Sequence, residues 1–418
     1  MKYRNRLIIG MLSIACYAQA QTPEQQPQEV PEATAVTTAR VEKKENEDPM
    51  RSKTISKTFA LDNSDKIVLA NQYGSITIKI WDRKEIKADI DIRAYSNNEE
   101  DVQKLLEGIT IEAGKSGDQV VVKTKMDQQG NRGSGSIFGK KWRREVKVDY
   151  VVYMPASNSL TMSQNYGNIT MGDLSGPLYA KVQYGNFTAQ NLSNISNYIS
   201  VQYGNSTIQN INKGVIKHQY GSGLNIVTAG TLDVDAQYVA VTLGTIKGNA
   251  VIKQQYGAGL TIGTVENLEL DAQYTHVKLG NVKGNAKIDQ QYNNLSIGTV
   301  GNLDLDAQYT GTEIGVLRGN GKFDMQYNKL SIAEVGTGCK ALNIDGGYLS
   351  ISLGFNADYN ADLDVHTSYA GFSYGDKISA KQTGNTEDSN SKTYVGKIGK
   401  GGGAVVKIKS DYGSVSLK

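Results

Sequence analysis

The stretch Leu268-Glu269-Leu270-Asp271-Ala272-Gln273-Tyr274 decides the fold, because it keeps returning. Leu268, Leu270, Ala272 and Tyr274 alternate with Glu269, Asp271 and Gln273. A period of two puts each set on its own face of a β-strand. The same register recurs as Leu232, Val234, Ala236, Tyr238 and as Leu303, Leu305, Ala307, Tyr309. A second short apolar pair follows the tyrosine, as in Val241 and Leu243, Leu260 and Ile262, or Val277 and Leu279. Gly-Asn pairs such as Gly280-Asn281 and Gly284-Asn285 then turn the chain.

Working outward, the Gln-Tyr or Asn-Tyr pair marks a long internal repeat. Its tyrosines are Tyr166, Tyr184, Tyr203, Tyr220, Tyr238, Tyr256, Tyr274, Tyr292, Tyr309 and Tyr327, at intervals of 18, 19, 17, 18, 18, 18, 18, 17 and 18 residues. Tyr73 precedes the series, and Tyr348, Tyr369 and Tyr412 continue it more loosely. No helical period runs through these units and no proline follows Pro177, as an uninterrupted hydrogen-bonded ladder requires. The expected fold is all-β, a parallel β-solenoid (β-helix) of coils of about 18 residues. Right-handed coiling is the default for parallel strands joined by crossovers, and the stacked coils would form a rod on the order of 60 Å long. Aliphatic pairs fall at Tyr+3 and Tyr+5 after Tyr238 and Tyr274 but at Tyr+4 and Tyr+6 after Tyr220 and Tyr256. Either 18-residue coils with alternating bulges or single 36-residue coils produce that pattern, and the first is the simpler.

Four segments are expected. Residues 1–20 read as a signal peptide: Lys2, Arg4 and Arg6 precede an apolar run over 7–18, and Ala18-Gln19-Ala20 is a cleavage site. Ala15-Cys16 offers a second outcome, a lipid anchor at Cys16. Residues 21–50, with four of the six prolines, read as a disordered linker. Residues 51–162 read as an N-terminal β module with a short helix near 98–108 and a basic loop, and 163–418 as the repeat domain. The module is the expected cap of one end, and the less regular stretch after Tyr348 the other end.

Composition removes several classes of function. The 418 residues carry a net charge of +3, which argues against a nucleic acid partner. Two cysteines exclude a disulfide scaffold, and three scattered histidines (His218, His276, His366) give neither a zinc site nor a triad. No apolar run reaches the ~20 residues of a membrane span. The nucleophile-elbow, phosphate-loop and zinc-protease motifs are absent. No break in the ladders gathers carboxylates and arginine as a polysaccharide-active β-helix enzyme needs. The expectation is a protein that is not an enzyme and takes no cofactor.

Three places are candidates for binding. The tyrosines Tyr238, Tyr256, Tyr274 and Tyr292 could offer a stacking surface to sugar rings. The competing expectation packs each ring at a corner of the core, in register with its apolar neighbours, with the preceding glutamine in an outward amide ladder. The position three before tyrosine reads Lys217, Asp235, Lys253, Asp271, Asp289, Asp306, Asp324. Alternating signs pair between units, but the run Asp271, Asp289, Asp306, Asp324 does not. It is either a weak calcium candidate or a solvated face relieved by Lys287 and Lys322. Residues 128–144 join Phe138 and Trp142 to Lys140, Lys141, Arg143 and Arg144, a possible contact for an anionic surface or simply a hairpin loop.

One resemblance adds to this. Asn71-Gln72-Tyr73-Gly74-Ser75-Ile76-Thr77-Ile78, then Trp81, then Val152-Tyr153-Met154-Pro155 and Asn165-Tyr166-Gly167-Asn168-Ile169-Thr170 run in an order that resembles a bacterial exported β-strand-repeat family named "putative adhesin". The resemblance spans about 55–418. It implies a β-solenoid with envelope or surface placement and supplies no catalytic residues; the expected address is the cell surface or outer membrane, and the expected partners are surface glycans or envelope proteins. The periplasm, with a role beside envelope-stress signalling, is the alternative address.

Overall fold

The computed structural model describes residues 39–42, 50–127, 133–137, 140–385 and 390–418. The signal peptide and Cys16 lie outside the described residues, as does most of the linker. Within the stretch read as linker, Ala39–Glu42 is a strand paired antiparallel with the start of Met50–Ala60.

The chain is all-β, with one helix among the described residues and a long sheet of parallel strands. Each repeat contributes a strand on either side of its tyrosine. Leu178–Gln183 and Phe187–Leu192 pair in parallel with Asn197–Gln202 and with the start of Ser206–Gln219. Later units follow suit: Leu232, Val234 and Ala236 lie opposite Ala250, Ile252 and Gln254, and these lie opposite Leu268, Leu270 and Ala272. The pairing repeat is therefore one 18-residue unit. The aliphatic inward positions read from the alternation are buried, and each leucine so placed contributes roughly 1.5–3 kcal/mol.

The opening module starts this stack. Ser159–Asn165 pairs with Lys66–Gln72 on one side and with Leu178–Gln183 on the other, so the boundary expected at 162 falls inside a strand. Met50–Ala60, Glu85–Ser96 and Lys140–Met154 pair antiparallel with one another in that order, and Lys140–Met154 joins the stack in parallel with Ile76–Ile80. The helix Glu99–Glu107 starts at Asn98, whose side chain accepts from the Glu100 amide at 3.0 Å, and buries Val102, Leu105 and Leu106.

Two expectations need correction. The tyrosines do not follow the inward register of their neighbours. Every one in the series has φ between +51° and +62°, a left-handed conformation that costs a residue with a Cβ about 1–2 kcal/mol. That turn swings the ring out of the period-two pattern, leaving the rings from Tyr166 onward 38–52% exposed. Ladder bonds continue through the turn, as from the Tyr256 amide to the Gln273 carbonyl at 3.0 Å. The following residue then faces the previous unit's backbone: a Cβ on Gly185 would meet the Gly167 carbonyl oxygen at 1.8 Å.

The second correction is one of order. Units after Ala341–Phe355 do not stack in sequence. Val405–Asp411 and Ser414–Leu417 lie between Ala341–Phe355 on one side and Ala361–Ser368 and Gly371–Tyr374 on the other. The last segment is intercalated between two earlier ones. The hairpin of Ile378–Asn385 and Ser391–Ile398 runs antiparallel beyond Ala361–Ser368 and covers that edge.

Candidate ligand-binding surface

Two inner ladders shape each corner, and they alternate from unit to unit. Two residues before tyrosine stand His218, Ala236, Gln254, Ala272, Gln290 and Ala307, all with no exposed surface or nearly none. Where that residue is alanine, the residue after tyrosine fills the corner: Val239, Thr275 and Thr310 are buried. Where it is bulky and polar, the residue after tyrosine is Gly221, Gly257 or Asn293. The polar side chain then donates to a carbonyl of the preceding unit. Gln254 Nε2 reaches Val239 O at 2.9 Å and Gln290 Nε2 reaches Thr275 O at 3.2 Å. Gln164 Nε2 bonds Gly74 O at 2.8 Å and His218 Nε2 bonds Gly204 O at 3.0 Å. Each acceptor is the carbonyl just after a left-handed tyrosine, turned inward where an unpaired group would be costly. Burial holds the His218 pKa below its ordinary value despite that bond, so the ring is a neutral Nε2 donor. The alanines were read as inward, but the buried His218, Gln254 and Gln290 and the residues after tyrosine were missed in the sequence; the alternation of Gln and Ala two before tyrosine was the available signal.

Outside, the tyrosine rings form a continuous stack from Tyr73 through Tyr166 to Tyr348, then Tyr412, then Tyr369. Among the four singled out, centroids lie 5.2 Å (Tyr238–Tyr256), 5.1 Å (Tyr256–Tyr274) and 4.5 Å (Tyr274–Tyr292) apart, with planes within 10°. Neighbouring rings cover one another's faces, so a ligand meets edges and hydroxyls rather than the flat surface a sugar would stack on. Contact with the Tyr292 hydroxyl raises the Tyr274 pKa. The expected amide ladder is present beside the stack: Gln202 Nε2 donates to Gln219 Oε1 at 2.9 Å.

The four aspartates fall in one file. Asp271 lies opposite Asp289, and Asp306 opposite Asp324, which lies opposite Asp345. Burial, then the charges of Asp306 and Asp271, raise the Asp289 pKa. Burial and Asp324 raise that of Asp306, against a lowering by Lys322. Lys322 Nζ lies 3.3 Å from Asp304 and Lys409 Nζ 3.3 Å from Asp345. One carboxylate per strand in single file does not converge on a point, and among the described residues no group of three or more His, Cys, Asp or Glu is placed to hold a metal ion. Cys339 is buried, which pushes its thiol pKa up.

A larger feature lies beside the aspartate file. A groove of about 610 Å³ runs across the units, edged by Asn249, Asn267, Asn285, Asn302 and Asn320. Their amides form a ladder: Asn267 Nδ2 to Asn249 Oδ1 at 3.0 Å, and Asn302 Nδ2 to Asn285 Oδ1 at 2.9 Å. Between the asparagines the lining holds the buried Ala250, Leu268, Ala286 and Leu303 and the exposed Val251. Glu269, Lys287, Asp304 and Lys322, alternating in sign, separate it from a second hollow of about 370 Å³ that holds Asp271, Asp289 and Asp306. Amides, balanced charge and a shallow apolar lining suit a neutral polar chain and give a polyanion no net attraction. Trp142 lies in the strand Lys140–Met154, but its side chain and the whole of Phe138 lie outside the described residues. Near them, Gly133–Ile137 forms a hairpin with the start of that strand, and Arg143 sits 4.1 Å above the Tyr95 ring.

No family model and no curated protein matches the chain. Solved structures to which it is similar bear adhesin or lipid-binding names. A "putative cell adhesion protein" from Clostridium sporogenes is 9% identical, with 88% of this chain and 99% of that one covered, at a TM-score of 0.20. A "putative adhesin" from Parabacteroides distasonis is 12% identical over 72% of this chain and 97% of its own, at a TM-score of 0.27. A "putative lipid binding protein" from the same species is 8% identical over 87% and 96%, at 0.18. Scores of this size carry no argument about what the present chain does. Among the described residues no helix is long and apolar enough to cross a membrane.

Proposed function

We propose that the chain is a non-enzymatic, exported β-solenoid that acts as an adhesin-like surface or envelope scaffold and lays an extended neutral glycan along its asparagine-edged groove. The observation that carries this reading is the repetition of one set of groups, amide, apolar lining and alternating charge, in register over successive units. A polymer with repeating hydroxyls meets the same partners at each step, so affinity grows with length although each unit binds weakly. Residues 51–162 serve as the cap and starting template of the repeat domain. The same coils without a groove ligand would leave an outer-membrane or periplasmic spacer.

The test is calorimetric titration of the full chain with neutral linear polysaccharides of graded length, with a sulfated polysaccharide beside them. Affinity rising with length up to the span from Asn249 to Asn320, and falling about tenfold in Glu269→Ala/Lys287→Ala, supports the reading. Binding of the polyanion alone, or of no glycan, overturns it. Protease shaving of intact cells tests the address, since release of repeat peptides without opening the outer membrane places them at the surface.

A further inference from the structure

The intercalated segment 404–418 is hydrogen-bonded along both of its edges. On one side Val405 N donates to Lys340 O at 3.0 Å and Lys418 N to Leu353 O at 2.8 Å. On the other, Asp362 N donates to Ala404 O at 2.9 Å and Gly375 N to Leu417 O at 3.0 Å. Val406, Ile408, Val415 and Leu417 are buried in the slot, and Tyr412 stacks between Tyr348 and Tyr369 at 4.9 Å from each. The chain reaches it through the connection from Ile398, in which Gly399, Gly401, Gly402 and Gly403 all have positive φ, from +59° to +80°, and three of its amides bond to the body, Gly399 N to Lys377 O at 3.0 Å, Lys400 N to Asn360 Oδ1 at 2.7 Å and Gly402 N to Asp362 Oδ1 at 2.9 Å.

The slot walls precede this segment in the chain, so both walls have unpaired edges until it arrives. A segment that completes a slot through an adaptable hinge fits the same slot in any copy, because every contact except the connection is identical. Extended, the five residues 399–403 reach about 17 Å, enough to pass between adjoining bodies. Lys409 opposite Asp345, Tyr412 between two tyrosines, and Val406 and Ile408 opposite Leu342 and Ile344 are features of this segment. The occupant the slot recognises is therefore another copy of it.

We propose that segment 404–418 is an exchangeable strand, inserted in trans between 341–355 and 361–374 of a second copy of this chain to form a reciprocal dimer. The inference does not rest on the glycan reading. Ser350 Oγ and Ser414 Oγ lie 3.2 Å apart across the slot, on directly paired residues, and provide the reporter.

Full chains with Cys16 and Cys339 replaced by alanine are prepared in two versions, tagged Ser350→Cys and untagged Ser414→Cys. They are unfolded, refolded together at high concentration, purified through the tag and oxidised. The expected result is untagged chain held by the tagged one and joined to it by a 350–414 disulfide, at least tenfold above a Ser350→Cys and Ser222→Cys control pair. No co-purified chain overturns the proposal. Co-purification without the disulfide also overturns it, provided the double variant Ser350→Cys/Ser414→Cys bridges within one chain. If that bridge does not form, protease footprinting decides on dimer and monomer of the unsubstituted chain. Equal protection of 405–417 with a newly cleavable 399–403 in the dimer supports exchange, and an unchanged hinge rejects it.

Discussion

Gln254 donates from Nε2 to the backbone oxygen of Val239 at 2.9 Å, and it does so through space that a side chain at position 257 would need. A Cβ on Gly257 would meet that nitrogen at 2.1 Å and the Val239 oxygen at 2.7 Å. Bulk in a corner thus comes either from two residues before tyrosine or from one after it. Gly257→Ala is expected to destabilise the chain by about 1–3 kcal/mol through overpacking. Gln254→Ala removes the obstacle but strands a buried carbonyl, at a similar cost. The double variant Gln254→Ala/Gly257→Val, which brings in the Ala236 and Val239 pattern, should lose less than the sum of the two single losses, because the amide no longer stands in the way although the Val239 oxygen still does. Urea unfolding of the four proteins measures the coupling, and strictly additive losses would contradict it.

The left-handed tyrosines reverse an ordinary rule. In a strand, glycine is normally worse than alanine. At Tyr256, with φ of +53°, both substitutions lose the stack but only alanine keeps the backbone strain. Tyr256→Gly should therefore be more stable than Tyr256→Ala by about 1 kcal/mol. Thermal unfolding of the pair checks it, and the opposite order would mean the turn is not left-handed in solution.

Leu270 is 2% exposed at the centre of a strand paired on both sides. Leu270→Asp buries a charge with no partner and should cost more than about 4 kcal/mol, disrupting neighbouring units as well. An unchanged denaturation curve would remove the inward register assigned to this position.

The aspartate file makes stability depend on pH. Burial and like charges raise the folded pKa of Asp289 above its ordinary 3.8. The folded chain keeps that proton to higher pH than the unfolded chain does, so stability falls as pH rises from 3.8 through the raised value. Asp289→Asn should stabilise at pH 7, by no more than about 1 kcal/mol because the site is partly solvated, and should give no gain at pH 3. Urea midpoints at the two pH values test this; a gain of equal size at both would point to a cause other than charge.

Some features of the molecule follow from local chemistry alone. Alternation with a period of two makes Leu268, Leu270 and Ala272 inward whatever lies around them, and spacing of about 18 residues sets which unit pairs with which. The carboxylate file was equally legible, since parallel pairing places equivalent positions side by side; only Asp345, in a looser unit, escaped it. The outward tyrosines were not legible, because alternation assumes a β backbone throughout and the residue that breaks it with a positive φ is tyrosine and not glycine. Nor was the groove, which exists only where Asn249, Asn267 and Asn285 come together from units 18 residues apart. The sequence by itself determined the strands, their repeat and the buried face, because those depend on neighbours a few residues away. Only the tertiary structure decided the ring stack, the filling of the corners and the place of segment 404–418, because each depends on which backbone edge is free when distant parts of the chain meet.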